Sequence, residues 1–411
     1  MEEMSLEVLD LSSRGSADHS RGFLIHQKGE DVIELREHAA DETPALMSED
    51  MPVRRSITAW IPERFCSAEV SSEGGDVEVT AIKEGELVVY SGQRQFPLTF
   101  QMPESGLALP ERRWHAPKPG GRVHLKSISA TSLDVFTCGG DLTGGSLVAG
   151  DMDLDTSGGN VEARRVMGNY VRVSAESRDA PSSNSGAVSV GAVYADTLHL
   201  SSGGRSISID ELNTKDAFVR CPGAGGISIR SLSGTCMLTT AGQQPSAAIT
   251  VNLSGAAGSV VACTGGAPIS FNLPHGQGEA LTVLSRPVGA PSVQDIMASL
   301  VALGDEQKEG LASWHRLVGF NQQGQAEWEV LGSQQAACFQ KRLLQFARLA
   351  CCTYLCPDMD VPNGWPWNHD GMLEDESEKP QEGLVLLDAR GGAISVLEQS
   401  WKEMMQQKLN Q

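Results

Sequence analysis

The sequence predicts an all-β chain: a parallel β-solenoid whose coils of about 20 residues stack on one another. Three observations predict it. A Gly-Gly pair recurs along most of the 411 residues, each pair leads into apolar residues alternating with polar ones, and small β-formers precede most pairs. The pairs are Gly74-Gly75, Gly120-Gly121, Gly139-Gly140, Gly158-Gly159, Gly203-Gly204 and Gly265-Gly266. Looser copies lie at Ser185-Gly186, Gly225-Gly226 and Ala241-Gly242. Equal spacing and identical turn chemistry favour stacking by translation over the rival, stacked antiparallel sheets built from Gly-Gly hairpins.

One unit shows the grammar. Thr156-Ser157-Gly158-Gly159 leads into Asn160-Val161-Glu162-Ala163, then Val166, a turn at Gly168-Asn169, and Val171-Arg172-Val173-Ser174. Alternation of this kind is the period of a strand with one buried face, and the unit has room for two short strands and two turns. Glycine suits the turns because it takes positive φ and lets backbones approach closely. The preceding residues, Thr137-Cys138, Thr156-Ser157, Ser201-Ser202, Thr239-Thr240 and Cys263-Thr264, would form ladders along one edge if the coils stack in register. One coil buries too few apolar side chains to offset the entropy of ordering about 20 residues, so stability must come from its neighbours.

Composition narrows the classes. Aromatic residues reach only 5%, which suits a thin core of Val, Leu, Ile and Ala. A net charge of −20 argues against nucleic acid or an anionic membrane as partner. No apolar run approaches the roughly 18–20 residues that span a bilayer. Met1 to Leu6 has neither a basic nor an apolar signal-like region, so the chain reads as cytoplasmic, and as organellar only if a targeting segment is missing. Nine scattered cysteines fit reduced thiols better than a disulfide framework. Cys138, Cys236 and Cys263 are expected at strand positions that want a small buried residue.

Four regions are expected along the chain. Residues 1–53 form an acidic N-terminal segment with strand-like patches at Phe23-Leu24-Ile25 and Val32-Ile33-Glu34-Leu35. The repeat occupies 54–290 and opens at Ser56; Phe96 to Lys118 interrupts the count by about one coil, and Pro181 to Ser185 bulges as a loop. Residues 291–383 read as a small α/β insertion: helices over Val293 to Leu303 and Gln334 to Tyr354, a hairpin from Trp314 to Phe320 and Ala326 to Leu331, and an acidic loop from Pro357. Residues 384–411 supply one more coil, centred on Gly391-Gly392, and a capping helix from Leu397 to Leu409 over the open edge.

The opening Ile57-x-x-Trp60-Ile61-Pro62-Glu63, with Val70-x-Ser72-x-Gly74-Gly75-Asp76-Val77-x-Val79 and the later Thr-Ser-Gly-Gly-Asn-Val coil, resembles a bacterial adhesin-like domain of unknown function. The closing Gly391-Gly392-Ala393-Ile394-Ser395-Val396-x-x-Gln399-Ser400-Trp401 is similar to that family's uncharacterised eukaryotic relatives. The resemblance covers roughly residues 54–287 and the last coil. It implies a β-solenoid and supplies no functional residues to carry over; its motifs are turn-and-strand grammar.

Candidate chemistry is sparse. Asp151, Asp153 and Asp155 are expected on one strand face, with Met152 and Leu154 on the other. Glu162 lies where an EF-hand loop wants its twelfth ligand, yet the required glycine is Thr156. A solvated acidic face is therefore expected over a calcium site. Cys338, Cys351, Cys352 and Cys356 near His369 lack a Cys-x-x-Cys knuckle. Trp365 and Trp367 flank a proline in the acidic loop and are candidates for docking onto the parent domain or a partner. Asp141, Asp151, Asp153 and Asp155 are the acids from which a glycosidase-like pair would be drawn, with Tyr170 and Tyr194 as sugar platforms. Neither a Gly-x-Ser-x-Gly elbow nor a phosphate-binding Gly-x-x-x-x-Gly-Lys is present.

The expected function is that of a non-enzymatic, adhesin-like scaffold that binds a protein partner and needs no cofactor or metal. The alternative is a solenoid that binds or cleaves a polysaccharide.

Overall fold

The computed structural model describes residues 5–10, 23–27, 33–37, 55–60, 67–72, 74–92, 120–177, 186–274, 281–285, 314–320, 326–330 and 383–399. Among these there is no α-helix, and most are strand. The central strands are β8 (Val123–Phe136), β9 (Leu142–Asp155), β10 (Val161–Ser174), β11 (Val188–Ser201), β12 (Ile207–Cys221), β13 (Ile227–Thr240) and β14 (Ile249–Cys263). Each pairs in parallel with the next. Val123 faces Leu142 and Leu142 faces Val161, a step of 19 residues. Parallel neighbours in constant register are what translation predicts and hairpins forbid. This long parallel sheet of consecutive strands fits a β-solenoid.

Each coil carries one bent strand rather than the two short ones expected. Val161, Ala163 and Val166 point inward, as do Val171 and Val173, whereas Arg164 and Arg165 are both exposed. Two successive outward residues break the alternation, so the strand turns a corner there. A second corner falls at Gly168–Asn169, where a Cβ on Gly168 would lie 2.7 Å from the Ala149 carbonyl oxygen. The ladder runs on through these corners, giving three flanks per coil. The Gly-Gly turn closes the circuit.

That turn has its own chemistry. Gly139 and Gly158 take φ of +97° and +110°, and a Cβ on Gly159 would lie 2.1 Å from the Gly140 carbonyl oxygen in the coil below. Inside the turn the expected ladder forms: Thr156 donates to the Gly159 carbonyl (2.6 Å), Ser202 to that of Arg205 (2.7 Å) and Thr264 to that of Ala267 (2.6 Å). Cys138 is not in a strand but in this turn, at φ +47°, whereas Cys236 and Cys263 are buried strand residues.

Insertions leave the register intact. Val161 faces Val188, a surplus of eight over the usual step, matching residues 178–185. Strands β6 (Val77–Lys83) and β7 (Glu86–Ser91) pair directly with β8, so the Phe96 to Lys118 stretch displaces no coil. Below them lies β5 (Ala68–Ser72), paired with β7. The strand expected to open the repeat, β4 (Arg55–Trp60), instead pairs antiparallel with β1 (Ser5–Asp10). The two N-terminal patches form an antiparallel pair, β2 (Phe23–Gln27) with β3 (Ile33–Glu37).

The far end is interleaved. Strand β15 (Ile269–Pro274) follows the first half of β14, and β20 (Ile394–Gln399) lies beyond β15. On the other flank β19 (Gly383–Asp388) pairs with the second half of β14, and β16 (Leu281–Ser285) lies beyond β19. The expected last coil is thus divided between two rungs, with β19 inside the sheet. The expected hairpin forms from β17 (His315–Phe320) and β18 (Ala326–Val330), and β17 joins β16. The capping helix expected from Leu397 does not begin there, because the strand continues through Gln399; residues 400–409 and the two insertion helices lie outside the described residues.

Candidate functional site

The flank that ends each coil, just before the Gly-Gly turn, carries the most varied chemistry. Its outward side chains stack in columns because consecutive coils keep register. The central column runs Glu69, Val88, Asp134, Asp153, Arg172, His199 and Phe218. A second column beside it holds Ser132, Asp151, Tyr170, Thr197 and Asp216.

Of the three aspartates expected on one face, Asp151 and Asp153 point outward as Met152 and Leu154 point in. Asp155 does not join them. It is 2% exposed, and its Oδ1 accepts from the Ser157 N–H (2.8 Å) and hydroxyl (3.1 Å), which holds Ser157 at φ +49°. Asp388 accepts from the Arg390 N–H at the same point of the later turn. Asp141 is also structural: its Oδ1 accepts from the backbone and side-chain N–H groups of Asn160, whose own Oδ1 accepts from the Ala187 N–H.

Asp153 forms an ion pair with Arg172 at 3.0 Å, one rung up. Below it, burial raises the Asp134 carboxyl above its ordinary range, and the nearby Asp153, Glu86 and Asp151 raise it further. Above it, the His199 ring stacks on Phe218 at 5.1 Å and 15° and meets Tyr170 at 5.6 Å and 44°. Burial, with a contribution from Arg172, lowers His199 to about 4, so its imidazole is neutral at pH 7. Tyr170 is 42% exposed, whereas Phe218 is buried. Near the turn, Tyr90 stacks on Phe136 at 5.3 Å and 10°. The other predicted platform, Tyr194, lies on a different flank, where a hydrogen bond to Glu211 raises its hydroxyl's pKa.

Past Phe218 the central column turns apolar: Met237, Val261, Leu386 and Leu284 follow, all buried although they point away from the inner core. Asp134, Arg172, His199 and Phe218 were missed from sequence because no local motif joins them. Their signal was the 19-residue spacing of Asp134, Asp153 and Arg172.

Among the described residues no group of three or more His, Cys, Asp or Glu side chains is placed to hold a metal ion. Nor does any described helix have the length and apolarity to cross a membrane. Trp365, Trp367, Cys338, Cys351, Cys352, Cys356 and His369 lie outside the described residues. Comparison with protein-family models, curated proteins and solved structures finds no match to this chain.

Proposed function

We propose that this chain is a non-enzymatic, adhesin-like β-solenoid that serves as a protein-binding scaffold in the cytoplasm. The observation that carries the reading is the fate of the acids. Asp155 holds a turn, Asp141 holds a ladder and Asp153 is paired with Arg172. The outward flanks of β8 to β12 meanwhile form an unbroken parallel platform. A rigid face of this kind places side chains for recognition without ordering them on binding. Trp365 and Trp367 belong to the proposed contact surface, and a helix over residues 400–409 is proposed to cover the open edge at β20.

Mild cross-linking of the intact protein in its own cells, followed by affinity purification and mass identification, tests the reading. A stoichiometric protein partner is expected, with recovery reduced when residues 357–383 are deleted. A monomer without partner overturns it.

One observation favours a second reading, a polysaccharide-binding or polysaccharide-cleaving protein. Burial, then the neighbouring Asp153, Glu86 and Asp151, raise the Asp134 carboxyl, which is the direction of shift a general acid beside a second carboxylate needs. Against it, the rings that would stack on a sugar are turned to one another, and of Tyr170, His199 and Phe218 only Tyr170 is widely open. Turnover or binding on a polysaccharide panel, lost in Asp151→Ala or Asp153→Ala, would establish it.

A further inference from the structure

We infer that the acidic flank running from Glu69 to Asp153, with Tyr170 at its upper margin, is the docking site for a basic, Arg- or Lys-bearing segment of a partner protein. This rests on the scaffold reading and gives it a place and a chemistry.

Charge is the first argument. Glu69, Glu86, Asp134, Asp151 and Asp153 all project from this one flank across the successive strands β5, β7, β8 and β9. Arg172, one rung above Asp153, is the first cation met in the central column. Parallel rungs lie about 4.8 Å apart, so the backbone ladder holds the strands that bear these carboxylates side by side. Asp134 registers the crowding: beyond burial, its carboxyl is pushed up by Asp153, Glu86 and Asp151. A guanidinium or ammonium laid over the column removes that repulsion, and the gain is larger for a pre-assembled site than for acids on mobile loops.

Aromatic rings supply the second argument. The stacked pair Tyr90 and Phe136 lies on the turn side of the acidic column, and Tyr170 stands next above Asp151 on its other side. Rings beside carboxylates suit a side chain that is both cationic and planar, since the ring face attracts the cation while the carboxylate accepts its hydrogen bonds. On the neighbouring flanks acids are interspersed with cations, as in the ion pairs of Glu78 with Lys126, Asp210 with Arg230 at 3.2 Å and Asp196 with Lys215 at 2.8 Å. Here, by contrast, Arg172, paired with Asp153, stands at the border of a run of carboxylates.

The test uses the full chain and fluorescein-labelled octa-arginine, read by fluorescence anisotropy at low and at physiological salt. Asp134→Asn/Asp151→Asn should weaken binding about tenfold, and Tyr170→Leu about threefold. Glu162→Gln/Glu211→Gln removes the same charge from other flanks and should change binding by less than about twofold. Both double variants alter outward side chains, and unchanged thermal melting confirms that they fold. Equal losses in the two overturn the inference and reduce the effect to the net charge of −20. Binding of oligogalacturonate in place of octa-arginine also overturns it, in favour of a sugar ligand. The affinity purification, repeated with Asp134→Asn/Asp151→Asn, separates this site from the scaffold reading. Loss of the wild-type partner supports the site; retention overturns the site and leaves the scaffold standing. Failure of the wild type to recover any partner overturns both.

Discussion

Asp153 and Asp155 stand two positions apart on one strand, and alternation alone assigns them the same role. The structure separates them because Asp155 is the last residue before the turn, where its carboxylate serves Ser157. Asp-x-Ser at the head of a Gly-Gly turn was visible in the sequence, but its reading depended on knowing where the strand ends. The glycines divide in the same way. Gly139 is needed for its φ of +97°, with open space around it, so Gly139→Ala should cost roughly 1–3 kcal/mol of backbone strain. Gly159 is needed for contact: a Cβ would meet the Gly140 carbonyl oxygen at 2.1 Å, and that carbonyl belongs to the ladder. Gly159→Ala should therefore cost about 3 kcal/mol or more, and urea melts of the two variants should rank them in that order. His199 makes a prediction in pH. Its folded pKa of about 4 lies below the ordinary 6.5, so between those values the unfolded chain binds the proton more tightly. The neutral ring's contribution is fully present above about pH 6.5 and is lost as pH falls towards 4. The shift sets a ceiling of about 3 kcal/mol, which partial exposure reduces to about 1 kcal/mol. His199→Phe keeps the stack on Phe218, so stability against pH should be flatter by that amount in thermal melts between pH 7 and 4.

At the scale of the element, the repeat was legible because glycine and alternation are local signals. The parallel pairing, the turn ladder and the β17–β18 hairpin all follow from them. Corners inside the coil were less legible. They are set by Arg164-Arg165 and similar outward pairs, which look like a lapse in alternation until the ladder is seen to continue through them. Double-sided burial in the later strands also had a signal: Ala217-Phe218-Val219, Val260-Val261-Ala262 and Leu384-Val385-Leu386-Leu387 are unbroken apolar runs, the pattern of a sheet covered on both faces. If coils are interchangeable units, one can be removed. Deleting residues 142–160 takes out β9 with its Gly-Gly turn and brings Val161 opposite Val123 and Arg172 opposite Asp134, where the ion pair can re-form. Such a chain should keep its β circular-dichroism signal and a single cooperative melt. Loss of the sheet signal would show that β9 is more than a repeat.

For the whole molecule, the decisive feature is one that periodicity cannot reveal. Local pattern identifies Gly383 to Gln399 as coil-like but does not say which neighbours it takes. The chain passes from β15 to β16, yet β16 does not pair with β14; β19, nearly a hundred residues later, occupies the place between them. The penultimate rung is therefore β15 with β19, and the last is β20 with β16. Each needs both partners, so the excursion from 286 to 382 is anchored by strands at both of its ends. Leu384, Val385, Leu386 and Leu387 are all buried, as are Val260 and Val261 on one side and Val283 and Leu284 on the other. A chain ending at residue 382 would present these apolar rows and their unpaired backbone groups to water, a sheet edge without the Glu327 and Glu329 that border the natural edge strand β18. Such a chain should form soluble aggregates on size-exclusion chromatography and melt without cooperativity. A chain ending at residue 399 keeps β19 and β20 and should still melt cooperatively, losing only the proposed cover over the β20 edge. If truncation at 382 melts like the full chain, the stack is closed by β14 and β16 alone, and the interleaved strand adds nothing to its stability.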